Sequence, residues 1–100
     1  TAEARSPVLP NVQTAEEAGL PRFVVYSWQG FGAPAGMAAP LLEQVHGAIV
    51  AALRSPAVAP RLTEAGFEIV GSTPAEFAAF QLREIERWRA VVQAGGITPD

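Results

Sequence analysis

The chain has 100 residues and a formal net charge of −3, with seven arginines and neither lysine nor cysteine. The lack of a basic excess argues against nucleic acid and anionic membranes as partners, since both need a basic face. The lack of cysteine excludes disulfides, thiol catalysis and cysteine-ligated metal. Alanine supplies 19 of the 49 apolar residues. We therefore expect a marginal domain, or a piece whose apolar faces are covered by something else.

Residues 1–22 are predicted to form a Pro-rich lead-in with little regular structure. Three prolines with polar residues between them disfavour helix and strand. Thr14 and Glu17 have the spacing of a capping box, which predicts a single helical turn. Gly19 suits the end of that turn, because glycine readily takes the left-handed conformation there.

Residues 23–36 are predicted to be a strand followed by a flexible exit. Residues 23–27 are β-branched and aromatic, and their nearly continuous apolar run favours a strand covered on both faces. Residues 30–36 hold three glycines and a proline. Trp28, at the junction, is either a core or interface aromatic or a residue lining a ligand cleft or hinge.

Two helical segments and a short strand are predicted next. Pro40 suits the first turn of a helix over 39–54, which carries an apolar stripe at helical spacing: Leu42, Val45, Ile49 and Leu53. Because Pro60 cannot lie inside a helix, we expect a turn at 56–59 and a helix from about Pro60 to Gly66. Residues 67–70 read as a second strand.

The last helix has the strongest sequence signals. Thr73, Pro74 and Glu76 supply a cap, a first-turn proline and a capping-box glutamate. Gly95-Gly96 is predicted to stop the helix. Trp88 lies on its apolar stripe and is predicted to be a core residue.

The order strand, helix, helix, strand, long C-terminal helix predicts the α/β class. Two short strands cannot form an independent sheet, because a lone pair is marginal in water. We therefore expect the strands to belong to a sheet whose other strands lie outside these residues.

The residues assemble no recognisable catalytic or metal centre. His46 is the single histidine and is predicted to be a solvent-facing or hydrogen-bonded helix residue. The carboxylates have no catalytic spacing, and the glycines match no dinucleotide or phosphate loop. The sequence predicts neither an enzyme nor a bound cofactor.

Four stretches, in order and at matching spacing, resemble one family. They are "RSPVLPNVQTAEEAGLPRF", "SWQGFGAPAG", "LRSPAVAPRLTEAGFEIVGSTPAEFAAF" and "EIERWRAVVQAGGI". Together they are similar to the periplasmic solute receptors of tripartite tricarboxylate transporters, the Bug-type receptors. The chain departs where that family continues Ala-Pro-Ala-Gly with Thr-Pro, since Met37-Ala38 stands here instead.

This resemblance implies the C-terminal third of a longer receptor with a periplasmic-binding-protein type II-like fold. Residues 1–22 would be the lead-in, 23–36 a crossing strand and hinge-like exit, and 37–100 the C-terminal part of the first α/β lobe. We expect upstream sequence with a secretory leader. The implied partners are a small carboxylate ligand, near Ser27, Trp28 and Gly30, and the membrane permease subunits of the transporter. The alternative is a standalone module that binds no ligand and self-associates through its uncovered apolar faces.

Overall fold

The computed structural model describes residues 1–99, which contain three helices joined by turns and irregular segments. Helix α1 is Ala39–Leu53, α2 is Ala59–Glu64 and α3 is Pro74–Gly95. The chain divides into two compact units, residues 1–69 and the residues from Val70 onwards. The lead-in, α1 and α2 belong to the first unit, and α3 belongs to the second.

The three helices begin and end close to the residues that the sequence indicates. Helices α1 and α2 each carry a proline in the first turn, as predicted for Pro40 and Pro60. The predicted capping box of α3 is present: Glu76 N donates to Thr73 Oγ1 at 3.2 Å, and Thr73 N donates to Glu76 Oε2 at 2.8 Å. These predictions are confirmed because caps and first-turn prolines act through residues close in sequence.

Three segments end with the same glycine-based hydrogen-bond pattern. Glycines 19, 66 and 96 have φ of 91°, 85° and 60°. In each case the glycine N–H and the next N–H bond back to carbonyls three and five residues earlier, as in a Schellman motif. The predicted ends at Gly19, Gly66 and Gly95-Gly96 are confirmed.

The predicted α/β fold is wrong for the residues that the structure describes. Neither 23–27 nor 67–70 is a strand within residues 1–99, which contain only helices and non-regular segments. A strand needs a neighbour to complete its hydrogen-bond ladder. Phe67 N instead donates to Leu62 O and closes the end of α2, while Val25 N donates to Thr1 O. An apolar, β-branched sequence does not make a strand without a sheet to join.

The apolar side chains of residues 1–99 are half-buried or exposed. Among residues 1–99 the one buried residue is Thr14, at 8% exposure, and no hydrophobic residue is buried. In α1 the predicted stripe is half-buried at Leu42, Ile49 and Leu53, and His46 lies half-buried on the same face. The prediction that Trp88 is a core residue is wrong, because this residue is 42% exposed.

Candidate functional site

The stretch that carries the predicted ligand-binding residues follows a tight turn. Phe23 N donates to Leu20 O at 3.4 Å, which closes a four-residue turn around Pro21 and Arg22. Arg22 has φ of +61°. Proline in the second position and a left-handed residue in the third are typical of a type II turn, which normally has glycine in that third position. The turn therefore fixes how the chain enters residues 23–30 at the expense of some backbone strain.

The first residues of the chain hold this stretch from the side. Thr1 Oγ1 donates to Val25 O at 2.7 Å, and Val25 N approaches Thr1 Oγ1 at 3.2 Å and Thr1 O at 3.3 Å. Glu3 N donates to the Tyr26 hydroxyl at 3.4 Å. These contacts anchor residues 25 and 26, immediately before the predicted ligand-binding residues.

An ion pair crosses the lead-in. The Arg5 guanidinium contacts the Glu17 carboxylate with an Nη2–Oε2 distance of 2.6 Å, and its Nε donates to both Glu17 oxygens. Arg5 Nη1 also donates to Pro10 O at 3.2 Å. The hydrogen bond from Arg5 lowers the pKa of Glu17, and the same bond raises the pKa of Arg5. This pair joins two parts of the lead-in, whereas the contacts of Thr1 join the lead-in to Val25.

The turn within the lead-in differs in one respect from the predicted capping box. Glu17 N donates to Thr14 Oγ1 at 3.2 Å, and Ala18 N donates to Thr14 O at 3.0 Å, so the capped turn is confirmed. The Glu17 side chain, however, bonds Arg5. Neither this ion pair nor the left-handed conformation of Arg22 was predicted from the sequence. The Leu-Pro-Arg-Phe sequence could have indicated the turn at Arg22, because proline favours the second position of a type II turn.

Ser27, Trp28 and Gly30 lie in the non-helical segment after the anchored residues, and all three are solvent-exposed. Trp28 is 40% exposed. The three residues offer a hydroxyl, an indole N–H and a backbone N–H, which can all donate hydrogen bonds to an anion. Gly36, at the end of this segment, has φ of 82° and takes the left-handed turn before α1.

A shallow depression elsewhere in the first unit is poorly suited to an anionic ligand. It is lined by Val8 and one side of α2, with Ala59, Pro60, Thr63 and Glu64. Its lining is mainly apolar, and its one ionisable side chain is a carboxylate, which repels another carboxylate. The exposed residues Ser27, Trp28 and Gly30 are therefore the better candidates for ligand contact.

Two other kinds of feature are absent from residues 1–99. Within that range no three histidine, cysteine, aspartate or glutamate side chains come together as metal ligands. None of the helices in the described part of the chain combines the length and apolarity needed to cross a membrane.

Comparison with known proteins gives a consistent result. A family model described as the tripartite tricarboxylate transporter family receptor matches residues 1–97. A UPF0065 protein in the tcbD-tcbE intergenic region of Pseudomonas sp. (strain P51) is 37% identical over 89 residues, covering 88% of this chain and 26% of the relative. Protein BugT of Bordetella pertussis is 35% identical over 92 residues, covering 92% of this chain and 28% of the relative.

A third relative agrees with these two. The UPF0065 protein in the TAR-I ttuE-ttuC' intergenic region of Agrobacterium vitis is 34% identical over 99 residues, covering 96% of this chain and 29% of the relative. No solved structure matches the chain. The chain thus spans between a quarter and a third of the length of the relatives it matches.

Proposed function

The chain belongs to the tripartite tricarboxylate transporter receptor family, and we propose that it forms part of a periplasmic solute receptor for small carboxylates. In this proposal the receptor passes its ligand to the membrane permease subunits of the transporter. The family match over residues 1–97 is the observation that carries the proposal. The family is one of transport receptors rather than enzymes.

We further propose that the ligand contacts of this segment come from Ser27, Trp28 and Gly30. Three observations support this assignment. The residues are exposed, their donors suit a carboxylate, and the contacts of Thr1 and Glu3 hold the preceding residues in place. A site held in place before the ligand arrives loses less conformational entropy on binding.

Isothermal titration of the receptor that contains these residues, against di- and tricarboxylates, tests the function. We expect saturable heat with at least one organic acid. No heat with any of them would contradict carboxylate binding.

A pair of aromatic variants tests the site separately. A hydrogen bond to a charged group contributes about 1.5–3 kcal/mol, so Trp28→Ala should raise the Kd about tenfold or more. Phe31→Ala is the matched control, because Phe31 is an exposed aromatic of the same segment that offers no hydrogen-bond donor. Equal effects of the two variants would show that Trp28 makes no specific contact with the ligand. The proposal that the receptor binds carboxylates would not be affected.

A second candidate function is self-association without ligand binding. The exposed apolar residues of α3, such as Ile85 and Trp88, favour it.

A further inference from the structure

Thr1 holds both backbone polar groups of Val25. Its hydroxyl donates to Val25 O at 2.7 Å and lies 3.2 Å from Val25 N, which also donates to Thr1 O at 3.3 Å. A hydroxyl has one hydrogen to donate and two lone pairs that accept, so the Thr1 side chain can make both bonds at once. The two residues lie 24 positions apart in the sequence, so the path of the chain brings them together.

The two groups that Thr1 holds belong to different peptide units. Val25 N lies in the peptide unit before the Val25 Cα, and Val25 O lies in the unit after it. Because each peptide unit is planar, holding both units restricts φ and ψ of Val25 together. A contact with one unit alone would leave the other free to rotate. Thr1 therefore sets the direction in which the chain leaves Val25.

Two further hydrogen bonds hold the residues on either side of Val25. The Tyr26 hydroxyl accepts from Glu3 N at 3.4 Å. Before Val25, the turn is closed by the bond from Phe23 N to Leu20 O, also at 3.4 Å. Both bonds are longer than the 2.7 Å bond from the Thr1 hydroxyl to Val25 O. Thr1 is therefore the main anchor of this segment.

We propose that Thr1 is a positioning residue of the ligand site, acting through Val25 on Ser27, Trp28 and Gly30. This inference rests on the proposed function, because it takes those three residues as the ligand contacts. A chain advances at most about 3.6 Å per residue, so the Cα atoms of Val25 and Ser27 are within roughly 7 Å of each other. The direction set at Val25 thus reaches the first ligand contact with one residue between them.

Such an anchor should increase affinity by ordering the segment before the ligand arrives. Restricting the backbone of one residue is equivalent to a factor of about 5 to 30 in an equilibrium constant. If the anchor is removed, that ordering has to occur during binding and weakens it. Water can hydrogen-bond Val25 in place of the hydroxyl, but a mobile water does not fix the direction of the chain.

Two substitutions at Thr1, made in the receptor that contains these residues, test the proposal. Valine has nearly the shape of threonine but lacks the hydroxyl, whereas serine keeps the hydroxyl. In isothermal titration with citrate and succinate, Thr1→Val should raise the Kd about tenfold. Thr1→Ser should bind as the unaltered receptor does. Tyr26→Phe removes a longer bond and should raise the Kd by a smaller factor.

Hydrogen exchange of the ligand-free receptor gives a second readout. Peptides that cover residues 23–30 should exchange faster in Thr1→Val than in the unaltered receptor, because local opening becomes easier. Peptides from α3 should exchange equally in both, which checks that the variant is folded. Thr63→Val is the matched control. It makes the same change at a hydroxyl that donates to Ala59 O within α2, and it should alter neither the Kd nor the exchange of residues 23–30.

The outcomes distinguish this inference from the proposed function. If the unaltered receptor binds a carboxylate and Thr1→Val binds it with the same Kd, the inference is wrong and the proposed function stands. Unchanged exchange of residues 23–30 in Thr1→Val would also overturn the inference, as would a lower Tm with an unchanged Kd, which indicates a purely structural role. An unaltered receptor that gives no heat with any carboxylate would overturn the proposed function, and the inference with it.

Discussion

The lead-in and helix α3 obtain their ordered backbone from different kinds of contact. The bonds of the lead-in join residues far apart in sequence: Arg5 with Glu17 inside it, and Thr1 with Val25 just beyond it. In α3, the terminal bonds join residues that are three to five apart, at the capping box and at Gly96. The lead-in therefore depends on the path of the chain, whereas α3 depends mainly on its own sequence.

This difference indicates where each region is vulnerable. A helix of 22 residues is long enough for local bonds to contribute strongly to its formation. The lead-in contains no helix, so a small number of longer-range bonds has to offset the conformational entropy that its backbone loses on ordering. Substitutions at the ends of α3 should therefore act locally, and substitutions in the lead-in should act through distant partners.

The largest expected effect is loss of the α3 cap. Thr73→Ala removes the oxygen that accepts from Glu76 N, and loss of an N-cap side chain costs about 1 kcal/mol. We expect lower helicity by far-UV circular dichroism and faster hydrogen exchange of the first-turn amides of α3.

Thr63→Ala is the control for this prediction. It makes the same chemical change in a helix, but the Thr63 hydroxyl donates to Ala59 O and caps no terminus. Such a bond within a helix adds little to stability, so the effect should be small. Equal losses in the two variants would show that the cap has no special role in α3.

A smaller effect of opposite sign is expected at Arg22. Its φ of +61° costs an L-residue roughly 1–2 kcal/mol, and glycine avoids that cost at the expense of a larger entropy loss on folding. Arg22→Gly should therefore raise the free energy of unfolding by roughly 0.5 kcal/mol, measured by denaturant titration.

Arg54→Gly separates this effect from a general effect of glycine. Arg54 follows α1 with φ of −92° and ψ of 0°, the conformation of the third position in a type I turn, which is compatible with most residues. Glycine there should give no stabilisation. If Arg22→Gly lowers the free energy of unfolding instead of raising it, the left-handed backbone of Arg22 does not strain the turn.

The helices could be predicted from the sequence because their signals are local. The boundaries predicted for α1 and α3 agree with Ala39–Leu53 and Pro74–Gly95 to within one or two residues. The turn before α2 also lies where Pro60 requires it. In each case, a proline, a capping side chain or a terminal glycine acts on residues within five positions of itself.

The strands and the core could not be predicted in this way, because both depend on neighbours. The composition of residues 23–27 indicates a preference for strand, but only a sheet can realise that preference. The spacing around Trp88 places Ile85, Trp88 and Val92 on one face of α3, and all three are exposed. It does not indicate whether anything covers that face.

The candidate site was predictable only in part. The resemblance to the receptor family pointed to Ser27, Trp28 and Gly30, and their contact with a ligand stays a prediction. The groups that hold the neighbouring residues, Thr1 and Glu3, were not predicted, because they lie more than twenty residues away along the chain.

The smallest expected effect concerns the ion pair of the lead-in and its dependence on pH. The hydrogen bond from Arg5 makes the pKa of Glu17 lower in the folded chain than in the unfolded chain. The resulting stabilisation is complete above the unfolded pKa of glutamate and is lost as the pH falls through the lowered folded value. Because the pair is exposed, 1 M salt should weaken its contribution.

Glu17→Gln isolates this contribution. The difference in Tm between the unaltered chain and Glu17→Gln should be present at pH 7 and should vanish as the pH falls well below the usual range of glutamate. Glu16→Gln, at the adjacent exposed residue, is the matched control, because the carboxylate that Arg5 contacts is that of Glu17. A difference in Tm that persists unchanged into acid would mean that Glu17 orders the lead-in through its size or its backbone contacts. The charge of the Arg5–Glu17 pair would then contribute nothing to the long-range order of the lead-in.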